Sequence, residues 1–230
     1  MRQPRSLFAL LVFGYVQHAS PAVAQTGGEA APGRIEVAAG PWWIGATSVG
    51  SRDATLTAAD GSRFRLFSTS SELASASGAE VRVGARLARV LDAEVAASYM
   101  VPQLTTGITA DTENGAPTTG FEAIKQITIE GAAVIYLPRR LGPHLVPFVT
   151  GGGGYLRQIH ERQTFIQTGR VYHVGGGIKV PLVSRAAART WVKQIGVRVD
   201  ARALIRTAGV TLDDRAHVAP ALGASLFARF

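Results

Sequence analysis

Between residues 34 and 230, apolar and polar side chains change places at almost every step, over runs too long for an ordinary soluble strand. Successive side chains of a β-strand point to opposite faces, so such a run is a strand with one apolar and one polar face. In the clearest case Trp191, Ile195, Val197, Val199, Ala201, Ala203 and Ile205 share a face, against Gln194, Arg198, Asp200, Arg202 and Arg206; Lys193 breaks the pattern near one end. Phe121, Ala123, Ile127, Ile129, Ala133, Ile135 and Leu137 oppose Glu122, Gln126, Thr128 and Glu130, with Lys125 out of place. Ala93 to Val101 alternates against Asp92 and Glu94, and Val81 to Leu87 against Glu80, Arg82 and Arg86. The last run sets Val218, Pro220, Leu222, Ala224, Leu226, Ala228 and Phe230 against His217, Gly223, Ser225 and Arg229. Weaker runs cover Arg34 to Val49, Pro143 to Ile159 and Gly169 to Leu182, the last with Lys179 on its polar side. Together they make eight candidate strands.

Strand length separates two β architectures. Soluble strands average about five to six residues, and a membrane crossing at a tilt needs about 9–11, which these runs meet or exceed. The connections alternate short and long. Val90 to Asp92, Pro138 to Pro143 and Val183 to Thr190 are short; Gly50 to Ser77, Thr105 to Gly120, Arg162 to Thr168 and Thr207 to Arg215 are long. That is the pattern of a barrel with turns on one side of a membrane and loops on the other. Within Gly50 to Ser77, an Asp60-Gly61 turn predicts a two-stranded excursion.

The chain contains no cysteine, which excludes disulfides, thiolate metal sites and thiol nucleophiles. Its net charge of +8 permits anionic partners without choosing among them. Arg2 and Arg5, the apolar run Ser6 to Val16 and the small residues of Ala22-Val23-Ala24 predict a secretory signal peptide over residues 1–24. That run is too short for a spanning helix, which needs roughly 20 residues. Gln25 to Gly33 is expected to be a flexible lead-in, and residues 34–230 one barrel domain.

The signal sequence, the eight amphipathic strands, Gly151-Gly152-Gly153-Gly154-Tyr155 and the terminal Leu226-Phe227-Ala228-Arg229-Phe230 resemble the small outer-membrane β-barrels of Gram-negative-type bacteria, the OmpA/OmpX-like porin superfamily. The resemblance implies an eight-stranded antiparallel up-and-down transmembrane β-barrel, monomeric, in contact with outer-membrane lipids and lipopolysaccharide. It also implies that Leu222, Leu226 and Phe230 form the insertion signal read by the barrel assembly machinery. Ala228 is smaller than the residue usual at its place in that signal, and the family's glycine five positions before the end is missing.

With the apolar faces outward, Glu36, Glu80, Arg82, Arg86, Glu94, Glu122, Glu130, Lys179, Arg198, Asp200 and Arg202 gather in one narrow lumen. An eight-stranded barrel is just wide enough for side chains to fill, so these charges are expected to pair, Glu130 with Arg198 or Arg202 first among them. Trp42, Trp43, Tyr99, Tyr136, Tyr155, Tyr172, Trp191, Phe227 and Phe230 are candidates for interfacial girdles. No catalytic, metal or cofactor site is expected. A lipid A-modifying enzyme would need a serine activated by a histidine, and His144, His160, His173 and His217 are scattered. Ser68, Ser70 and Ser71 fall on the first long loop, as do Arg52, Arg63 and Arg65, which could meet lipopolysaccharide phosphates. Nucleic acid is not an expected partner. The competing reading from another class is an exported soluble β-barrel that holds a lipid or small apolar ligand; it would need an apolar interior.

Overall fold

The computed structural model describes residues 34–110, 117–138, 145–161, 165–184, 191–213 and 215–230. The signal-peptide and lead-in expectations, and His144, lie outside the described residues. Eleven strands occur in chain order: β1 (Ile35–Ile44), β2 (Thr47–Thr57), β3 (Arg63–Leu73), β4 (Ala76–Ala88), β5 (Leu91–Met100), β6 (Gln103–Thr109), β7 (Thr118–Tyr136), β8 (Val146–His160), β9 (Ile166–Ser184), β10 (Gln194–Ala208) and β11 (His217–Arg229). Eight of them close a ring in the order β1, β4, β5, β7, β8, β9, β10, β11, and every neighbouring pair is antiparallel. Closure between β1 and β11 runs from Glu36 opposite Arg229 to Ile44 opposite Ala221. At the rim, Phe230 N–H donates to the Ile35 carbonyl at 2.8 Å.

The other three strands correct the reading of the first long loops. β2, β3 and β6 continue the hairpins of β1, β4 and β5 beyond short breaks, and β6 then pairs with the first residues of β7. Much of Gly50 to Ser77 and Thr105 to Gly120 is therefore sheet that extends the wall at one end. These segments hide from a parity test because most of them is solvated on both faces, so neither face must be apolar. The break at Gly45-Ala46 also changes phase: even-numbered residues face inward in β1, odd-numbered ones early in β2. The Asp60-Gly61 turn is present, with Gly61 at φ +84° and Asp60 Oδ1 accepting from the Ser62 backbone N–H at 2.9 Å.

Inside the ring, glycines make the space that long side chains fill. A Cβ on Gly154 would lie 2.0 Å from the Ile129 carbonyl oxygen, and one on Gly175 would lie 2.2 Å from that of Ala201. Both face the lumen, on β8 and β9, which leaves that side of the bore free for side chains from the opposite strands. Close strand approach thus accounts for Gly152 and Gly154 of the glycine-rich run, while a Cβ at Gly151 would meet only ordinary contact.

Candidate functional site

The wall and the bore carry opposite chemistry. On the outside the large side chains are aliphatic or aromatic and exposed: Val81, Val83, Val95, Ile129, Ile135, Val174, Val199, Leu222 and Leu226 among them. On β10 the apolar face runs from Ile195 to Ile205; ten steps of about 3.3 Å at a tilt near 40° make a band roughly 25 Å tall, the height of a bilayer's hydrocarbon core as barrels meet it. The inward faces carry a belt of buried charge, Arg198 at 0% exposure and Asp200 at 2%, with buried apolar side chains such as Ile44, Met100, Val171 and Leu204 above it.

The bore is organised in layers. Beside the short β4–β5 turn, the Lys179 ammonium donates to Glu36 Oε1 at 2.6 Å and to the Tyr136 hydroxyl oxygen at 2.7 Å. Arg229 holds the other Glu36 oxygen at 2.5 Å, and the Tyr136 hydroxyl donates to Asp92 Oδ2 at 2.5 Å. Arg86 Nε reaches Asp92 Oδ1 at 3.2 Å. In the middle layer Asp200 receives three guanidinium groups: Arg82 at 2.8 Å, Arg202 at 2.8 Å and Arg198 at 3.2 Å. Arg198 also binds Glu94 at 2.6 Å, and Arg82 and Arg202 both reach Glu80, the latter at 3.3 Å. Aromatic faces cover the cations. Arg198 lies 4.4 Å from the ring centre of Phe148, Arg202 4.8 Å from that of Trp42, and Lys179 5.7 Å from that of Phe227. Arg82 Nε and Arg198 Nη2 have no hydrogen-bond partner among the described residues.

Ten of the eleven expected lumen residues face the bore. Glu122 does not join the network: its side chain is 36% exposed near the other end of β7 and meets His160 Nδ1 at 2.8 Å. The expected Glu130 pair is also different. Glu130 Oε2 is bonded to His173 Nδ1 at 2.6 Å, while Arg198 and Arg202 are taken by Glu94, Asp200 and Glu80. The reason is height: Glu130 lies opposite Gly154, and Gly154 opposite Val171, while Asp200 lies opposite Gly177, several residues along β9. Sequence reading left out Asp92, Tyr136, His173, Arg206 and Arg229, although all hold inward parity. Of the nine girdle candidates, Trp42, Tyr136 and Phe227 point inward, at 3%, 7% and 2% exposure. Inward aromatics break the polar pattern because they cap cations. Tyr99, Tyr155, Tyr172, Trp191 and Phe230 are exposed.

Two groupings bear on catalysis. His173 Nε2 stands 3.5 Å from Thr150 Oγ1, so carboxylate, imidazole and hydroxyl follow in order, and both side chains are buried at 5% and 4% exposure. Ser68 bonds Asp53 at 2.7 Å and Ser71 bonds Thr106 at 2.9 Å; no serine meets a histidine among the described residues.

A closed antiparallel β-barrel with an apolar exterior and an ion-paired interior is thus the class that fold and site define. No protein-family profile matches the chain, and no curated protein matches it in sequence. Among solved structures, the crystal structure of the outer membrane protein OprG from Pseudomonas aeruginosa is similar, with a TM-score of 0.49 and 12% identity over 86% of this chain and 96% of that one.

Proposed function

We propose that this chain is an integral protein of the bacterial outer membrane, with a lumen sealed by ion pairs, a structural or surface-interaction role and no catalysis. One observation carries the reading: apolar side chains cover the outside all round, while the middle of the bore is packed with buried, paired charges. A carrier of an apolar ligand in water would have the opposite arrangement. A wall of exposed Val, Ile and Leu of this extent is untenable in water and required in lipid. The Thr150–His173–Glu130 series serves the seal, since it is sealed from substrate inside the bore.

Leu222 and Leu226 on the outer face of β11, and Phe230 just past its end, are 52%, 65% and 41% exposed, where the assembly machinery would meet them as the insertion signal. Both ends of the barrel domain would then lie on the periplasmic side, with the β2–β3–β6 extension outside the cell. On that extension Arg65 is 54% exposed and shares only a 3.7 Å contact with Asp53, so it is free to meet lipopolysaccharide phosphates together with Arg52 and Arg63.

Fractionation of the native host tests the reading. Washed outer membranes should hold the protein, and it should migrate faster on a gel when unheated than after boiling. Recovery in the soluble periplasmic fraction with no such shift would overturn it.

A further inference from the structure

Beyond the ion-paired layers, towards the β10–β11 loop, the bore holds a guanidinium that no counter-charge among the described residues meets. Arg206, on the inward face of β10, is 7% exposed, and among the described residues no ion pair or hydrogen bond reaches it. The other inward cations each meet a carboxylate, and Glu130 meets His173. A buried charge left alone is strongly disfavoured, so a counter-ion is expected where space allows.

The neighbouring amides are aligned to supply one more donor. Val210 N–H can only donate, and it does so to Gln158 Oε1 at 2.8 Å. This fixes the Gln158 amide, whose Nε2 donates to Gln126 Oε1 at 3.0 Å. The Gln126 Nε2 is left at the end of the chain, with only Met100 Sδ at 3.7 Å, a weak acceptor. Gln126 and Arg206 line one crevice, walled otherwise by apolar or backbone groups of Ile44, Leu73, Ala76 and Met100, with room for about one water-sized particle.

A cation and an oriented amide donor, with no carboxylate among the described lining residues, therefore border one small and mostly apolar space. We infer that Arg206 and Gln126 form a binding site for a single monovalent anion of the halide class, chloride or bromide. The small size of the crevice suits a single compact ion, and its largely apolar wall favours one that gives up its water readily. Filling the site closes the charge balance of the bore at its loop end.

Thermal unfolding of the full chain folded in detergent micelles tests this, in sodium bromide against sodium gluconate at equal ionic strength. Gluconate is too large to enter. The wild type should show a saturable bromide-specific rise in midpoint of several degrees, and Arg206→Met should lose it. An equal midpoint in the two salts, or a bromide-specific rise retained in Arg206→Met, would overturn the site. Should Arg206→Met not fold, Gln126→Glu decides: its carboxylate replaces the ion, so it should fold equally well in either salt, and bromide dependence in this variant would overturn the proposal. Crystals grown in bromide should give an anomalous peak within hydrogen-bond reach of both side chains; no peak there would overturn it as well.

Discussion

Asp200 anchors the network, because three guanidinium groups converge on one carboxylate shielded from water. Removing one partner of a buried pair leaves the others uncompensated, and that outweighs the loss of any single contact. Asp200→Asn is accordingly expected to destabilise the barrel by about 3–5 kcal/mol, read from urea unfolding by the unheated gel band. A loss below about 1 kcal/mol would mean that water reaches the bore. Outside the barrel wall, Asp60 caps the hairpin tip. The Ser62 hydroxyl and backbone N–H hold its carboxyl below the ordinary value of 3.8. A depressed carboxylate adds stability above its unfolded pKa and loses it as pH falls through the folded one. The β2–β3 tip should therefore keep its protection from hydrogen exchange near neutral pH and lose it only below about pH 4, and Asp60→Asn should flatten that dependence.

At the scale of strands, glycine placement is as restrictive as charge. Gly154→Val would drive a side chain into the backbone of β7, 2.0 Å from the Ile129 carbonyl at its first carbon, so no heat-modifiable band should form. Gly131→Ala, where a Cβ meets nothing within 4 Å, should fold like the wild type in the same assay. Most of the ring strands were legible in the sequence because they set an apolar outer face against a polar inner one, which forces a period of two; β8 was faint because its inward face carries Phe148, Gly152, Gly154 and Leu156 in place of charge. β2, β3 and β6 were not legible, since their two faces see similar surroundings. Parity likewise told that Glu130, Arg198 and Arg202 share the bore. Their partners depend on the stagger of strands far apart in sequence, such as the β9–β10 bulge at Ile195/Gly196, which leaves no local trace. Arg206 had the right parity too; that it lacks a partner is visible only in three dimensions.

For the molecule as a whole, a bore filled by paired charges and aromatic caps should not conduct. In planar bilayers the wild type is expected to show no sustained open level, and steady ohmic conductance would contradict the seal. The sharper claim is that the outer wall faces lipid. Because the chain has no cysteine of its own, Val199→Cys and Ile129→Cys can each carry a single fluorophore, with Thr128→Cys as the inward control. Quenching by nitroxide-bearing lipids in reconstituted vesicles then reads the surroundings of each site directly. Strong quenching at 199 and 129, with little at 128, is the predicted result; no quenching at 199 and 129 would contradict a membrane-embedded barrel.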